Sequence, residues 1–136
     1  MTQILILEQR AERISEFRRL LEPQYQLTFA NSTKEAIEKA QKNSYGLYIS
    51  ALHLPRTESG ENVFDFLRAM KTDAKTKTVP FFCCCIRPSN MMQSMADLLS
   101  NTAKNLGVND FELVKEGELS QMPQRVKSLV EAGKKG

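Results

Sequence analysis

The chain has 136 residues and a mass of 15.5 kDa, the size of one domain with enough interior to fold without disulfides or a structural metal. Hydrophobic residues make up 41% and charged residues 26%, which excludes disorder, collagen and coiled coil, and no apolar run, Val79–Ile86 included, is long enough to cross a bilayer. The 19 Lys and Arg against 16 Asp and Glu give a net charge of +3, scattered rather than striped; neither a nucleic-acid nor a membrane partner is expected.

Met1-Thr2-Gln3 passes at once into the apolar run Ile4–Leu7, with no basic n-region and no cleavage site, so no signal peptide is expected. The run itself suits a strand buried on both faces. Ile14, Phe17 and Leu21, spaced by three and four among Glu and Arg, predict one face of a helix that Pro23 ends. Tyr25–Ala30 reads as a second strand. Ser32 and Glu35 form a capping-box pattern that opens a helix through Ala36, Ile37 and Ala40. Leu47–Leu52 is the third strand, broken by Pro55 and Gly60, and Val63, Phe64, Leu67 and Met70 mark the third helix. Val79–Cys85 is the fourth and most hydrophobic strand. Its Cys83-Cys84-Cys85 lack metal-ligand spacing and build no disulfide framework, so a reducing, cytoplasmic compartment is expected. Pro88-Ser89-Asn90 leads into a helical stretch with Met91, Met92, Met95, Leu98 and Leu99. Gly107 punctuates, Phe111–Val114 is a short fifth strand, and Leu119, Met122, Val126, Leu129 and Val130 finish with a helix. Residues 1–132 read as one domain and 133–136 as a frayed tail.

Strands and helices thus alternate five times, which predicts an α/β, doubly wound, five-stranded parallel sheet with helices on both faces and right-handed crossovers. Sites in such folds form where the C-terminal ends of strands meet at a switch point. That directs attention to Glu8 and Gln9, Ala51 to His53, Cys85 to Arg87, and Val114 with Lys115. No Gly-rich phosphate loop and no zinc spacing is present.

Ile4-Leu5-Ile6-Leu7-Glu8-Gln9 looks like an opening strand that ends in an acidic pair. Tyr45 to Pro55 looks like a strand carrying a phosphoacceptor, with Pro four residues after position 51 and Gly60 in the loop. Val79-Pro80-Phe81-Phe82 and Gly107-Val108-Asn109-Asp110-Phe111 fit the starts of the fourth and fifth strands. In these segments, in this order, the sequence resembles the receiver domain of two-component response regulators over nearly its whole length. The resemblance implies the flavodoxin-like receiver (βα)5 fold and a role in phosphorelay signalling.

The resemblance also implies a site: an Asp nucleophile, acidic residues holding Mg²⁺, a Thr or Ser, and a Lys. Here the Asp position falls on Ala51, whose methyl group cannot attack a phosphoryl donor. The acidic pair is Glu8 beside Gln9, and one Glu without the phosphoacceptor holds Mg²⁺ weakly at most. The Thr/Ser position falls on Cys85, a weaker hydrogen-bond donor. The Lys position falls on Val114, and Lys115 comes one residue late, on the other strand face unless a bulge corrects it.

The expected function is therefore that of a phosphorylation-independent pseudo-receiver, a protein-interaction module and not an enzyme, needing no cofactor. Implied partners are a histidine kinase, another regulator, or a second copy through the fourth helix, fifth strand and fifth helix. Met91, Met92 and Met95, with Phe111, form a candidate interaction surface, core packing being the other reading of the methionines. Glu8 is expected as a solvated carboxylate at a strand end or as a partner of Lys115 or Arg87. One rival function is an atypical receiver phosphorylated on displaced residues. Ser50 points to the wrong face for that and Asp65 to solvent. The other rival is an enzyme using Cys85 and His53, against the plainer reading of a buried thiol beside a loop histidine.

Overall fold

The computed structural model describes residues 2–22, 24–51, 64–86, 92–114 and 122–135. The chain alternates as predicted: β1 (Gln3–Leu7), α1 (Ala11–Leu21), β2 (Gln26–Ala30), α2 (Thr33–Lys42), β3 (Leu47–Ser50), α3 (Asp65–Thr72), β4 (Phe81–Ile86), α4 (Gln93–Asn105), β5 (Asp110–Val114) and α5 (Met122–Lys135). The strands form one sheet in the order β2-β1-β3-β4-β5, and every pair is parallel. α5 continues through Lys135, so helical backbone runs past Gly133.

The order explains the layers. The chain steps from β1 to one side for β2, then crosses back and continues outward through β3, β4 and β5. Right-handed crossovers then place α1 on one face and α2, α3 and α4 on the other. Two core layers result. Ile4, Ile6, Leu47, Ile49, Phe82 and Cys84 meet Phe17 and Leu21 of α1 and Met122, Val126 and Val130 of α5. Leu5, Leu7, Tyr48, Phe81 and Cys83 meet Ala36, Ala40, Phe66, Leu67, Met70 and Ala103. Successive strand residues alternate between the layers, as the two-residue pleat requires. Tyr48, Phe66 and Phe81 form an aromatic knot in the second layer, with ring centroids 5.0–6.2 Å apart.

Local chemistry sets the helix ends. Ser32 Oγ accepts from Glu35 N–H at 3.1 Å, and the Glu35 carboxylate reaches back to Asn31 N–H at 3.3 Å, completing the box one residue early. Gly107, with φ of +94°, gives α4 the left-handed turn that a Cβ disfavours. First turns carry Glu12, Glu35 and Asp65, and last turns carry Arg18, Arg19, Lys39, Lys42, Lys71 and Lys104, each complementing the helix dipole. One helix face differs from expectation. In α1 the buried residues are Arg13, Phe17 and Leu21, a strict every-fourth stripe, and Ile14 is only half-buried.

Candidate functional site

The sheet changes direction between β1 and β3, and the two residues just past those strands are Glu8 and Ala51. Register holds to the pair Leu7 and Ser50, Ala51 N–H then donates to Leu7 O at 3.0 Å, and Glu8 N–H donates to Ala30 O at 3.1 Å. By alternation Glu8 follows Ile4 and Ile6, and Ala51 follows Leu47 and Ile49, so both belong to the layer of α1 and α5. Ala51 packs in that core layer. Gln9, the next residue, is exposed.

Glu8 is not the solvated carboxylate expected from its position; it is 3% exposed. Its Oε1 accepts from the backbone N–H groups of Gln9, at 2.9 Å, and Arg10, at 3.0 Å. These bonds tie the strand end to the start of α1, whose N-cap Arg10 offers no side-chain cap. Its Oε2 is buried without a hydrogen-bond partner. Burial pushes the Glu8 carboxyl above the ordinary carboxylate range, opposed by the two N–H bonds and by the charges of Arg10 and Arg13.

Arg13 is the site residue that hydrophobic patterning missed. It is 2% exposed, donates from Nη1 to Glu16 Oε2 at 3.3 Å, and keeps Nη2 buried without a hydrogen-bond partner. Its signal was positional: counting back in fours from Leu21 through Phe17 lands on Arg13.

Ser50 is fully buried in β3, in register with Cys83 and so on the opposite layer from Ala51. Asp65 opens α3, where Arg68 Nη1 lies 3.4 Å from its carboxylate. Cys85 and Val114 are strand residues of β4 and β5, paired with Leu113 and Ile86 respectively. Cys83 and Cys84 are buried on opposite faces of β4, and burial pushes the Cys83 thiol up, away from the reactive thiolate. His53, Arg87, Met91 and Lys115 lie outside the described residues.

Met92 and Met95 are not core. Met92 is 72% and Met95 48% exposed, with Leu98 beside them at 59%; α4 seats on the sheet through Ala96 and Ala103. Phe111 is half-buried and stacks 6.4 Å from Phe64. On β5, Asp110 and Glu112 are held by Arg125 of α5, which donates to both Asp110 oxygens at 2.9 and 3.0 Å and lies 3.1 Å from Glu112.

The Mg²⁺ that the resemblance implies does not fit the described part of this crevice. A hard divalent cation needs several oxygen ligands. Glu8 leaves one oxygen free, Ala51 leaves none, and the buried neighbour is a cation. Among the described residues no three His, Cys, Asp or Glu side chains converge on a metal position.

The chain has the fold of receiver domains. It is similar to the signal receiver domain of a signal transduction histidine kinase from Syntrophus aciditrophicus, at 20% identity and TM-score 0.75 over 97% of this chain and 92% of that one. It is similar to the chemotaxis protein CheY4 of Vibrio cholerae, at 17% identity and TM-score 0.75 over 95% and 98%. A third likeness is the receiver domain of a sensor histidine kinase from Pseudomonas aeruginosa, with a magnesium ion coordinated in its active-site cleft, at 15% identity and TM-score 0.72 over 96% and 98%. No protein-family model matches the sequence, and no curated protein does.

Proposed function

We propose that this chain is a receiver-like module of phosphorelay signalling that takes no phosphoryl group itself and acts through protein contacts. The observation that carries the reading is Ala51. It is 2% exposed at the end of β3 beside Glu8, where the resemblance puts the nucleophile, and a methyl group has no lone pair to offer phosphorus. Ser50 faces the opposite layer and Asp65 sits beside Arg68 on α3, so neither substitutes for it. The module works in the cytoplasm, with a histidine kinase or another regulator as partner. No helix among the described residues is long and apolar enough to cross a membrane. The exposed Met92, Met95 and Leu98 of α4 supply contact surface of the adaptable kind.

Incubation with acetyl phosphate and Mg²⁺, read by intact mass, tests this. The unmodified mass is the expected result. A stable phosphoryl adduct on any Asp or Glu would favour the rival, an atypical phosphorylated receiver.

A further inference from the structure

We infer that Arg13 is the resident cation of the crevice: beside Glu8 its guanidinium supplies the positive charge that a divalent ion supplies in a metal-binding receiver, and so makes this crevice metal-independent. The inference rests on the reading of a crevice that takes no phosphate, and goes beyond it by naming the residue that fixes its charge.

Three observations carry it. The first is placement. Phe17 and Leu21 face the layer of Ile4, Ile6, Ile49 and Ala51, and Arg13 is the next residue of that buried stripe toward the crevice end of α1. One helical turn from Phe17 to Arg13 rises about 6 Å, and two strand residues from Ile6 to Glu8 rise about 6.6 Å. Arg13 and Glu8 are therefore each one step beyond the apolar residues of their element toward the crevice end, and both are buried. The second is charge. Arg13 and Arg10 are the cations that act on the Glu8 carboxyl. With Ala51 in place of an acid, the charges that act on Glu8 are both positive, and the nearby acid Glu16 is already paired with Arg13. A divalent ion would enter against that balance, in a buried setting where charges are felt strongly. The third is the pair of atoms left over. Glu8 Oε2 and Arg13 Nη2 are both buried without hydrogen-bond partners, one an acceptor and the other a donor, and no direct bond joins them. Glu8 Oε1 is already met by the Gln9 and Arg10 N–H groups and Arg13 Nη1 by the half-exposed Glu16 at 3.3 Å, so what stays open on each residue is its second atom. Burying a guanidinium is costly unless negative charge faces it, and Glu8 is the one buried acid among the described residues.

The test restores the carboxylate and removes the cation in turn. Wild type, Arg13→Met, Ala51→Asp and the double variant are titrated to about 10 mM Mg²⁺. The readout is the amide NMR shifts of Gln9 and Arg10, whose N–H groups bond Glu8 directly. Wild type and Ala51→Asp are expected to show no saturable shift, because Arg13 already serves the carboxylates. The double variant should bind Mg²⁺ at least about tenfold more tightly than Ala51→Asp. Equal Mg²⁺ affinity in Ala51→Asp and the double variant overturns the inference, and so does saturable binding by wild type. If Arg13→Met fails to fold, Arg13→Gln, which keeps a polar head without the charge, carries the same comparison. Acetyl phosphate treatment of the wild-type sample separates the two readings: a phosphoryl adduct refutes the phosphate-independent module, whereas metal binding without an adduct refutes only the role of Arg13.

Discussion

Ala51 and Glu8 sit side by side at the sheet's switch point, and their chemistry there is set by burial. A carboxylate introduced at position 51 would replace a 2% exposed methyl group and enter a packed layer without a metal ion. We expect Ala51→Asp to cost about 1–3 kcal/mol in denaturant melts, with no recovery on adding Mg²⁺. A neutral outcome would mean an open, hydrated crevice. Glu8 gives a pH signature. Its folded-state pKa lies above the ordinary 4.5, so between the two values the folded state binds more protons than the unfolded one. Stability from this group is then greatest below 4.5 and falls as pH rises through the folded value. Glu8→Gln keeps an oxygen for the two N–H bonds and removes the titration. Its melts across the acid range should lack that decline; an unchanged pH profile would contradict it. At this scale the sequence told half the story. That position 51 is Ala was readable directly. That Glu8 is buried was not, because a strand-end acid is ordinarily solvated, whereas here its carboxylate turns in to the N–H groups of Gln9 and Arg10. Arg13 escaped notice because hydrophobic patterning scores a guanidinium as surface, although its spacing put it on the buried stripe.

The elements show where sequence periodicity succeeds and where packing overrides it. Strands were legible from their apolar runs, with boundaries shifted by one or two residues, as at β4, which starts at Phe81 rather than Val79. Pro80, which has no N–H to give a ladder, stands between Val79 and the first strand residue, and the Val79 carbonyl accepts from Lys71 Nζ at 3.1 Å. The same ammonium donates to Asn109 Oδ1 at 2.8 Å, and that oxygen also accepts Phe81 N–H at 2.9 Å. Asn109 N–H in turn donates to Phe81 O at 3.0 Å. One side chain thus imitates a strand partner where β4 and β5 begin. Asn109→Ala leaves Phe81 N–H and Lys71 short of an acceptor and should cost about 1–3 kcal/mol by chemical denaturation; a loss near zero would show the clasp to be redundant. For α4 the sequence left open whether the methionines were core or surface. Two alanines decide it, since their small side chains bring the helix close and leave the large ones outside. Met95→Glu and Leu98→Glu should each change stability by less than about 0.5 kcal/mol. Ala103→Leu, overfilling a fully buried seat, should cost about 1–3 kcal/mol. The reverse ranking would place the helix the other way round.

For the molecule as a whole, alternation of strand and helix was sufficient to predict the architecture, because parallel pairing and right-handed crossovers leave few ways to wind five units. The lining of the crevice was less legible, since it depends on side chains from separate segments meeting in space. The winding has a further electrical consequence. Every helix runs opposite to the strands, so the last turns gather at the end of the molecule remote from Glu8 and Ala51. Those turns hold Arg18, Arg19, Lys39, Lys42, Lys71 and Lys104, whole charges that outweigh the roughly half-unit negative pole of each helix end. The described helix ends therefore set whole positive charges at that end. An acidic surface approaching that end would meet those charges first, and the attraction would fade as salt shortens the screening length to about 8 Å at physiological ionic strength.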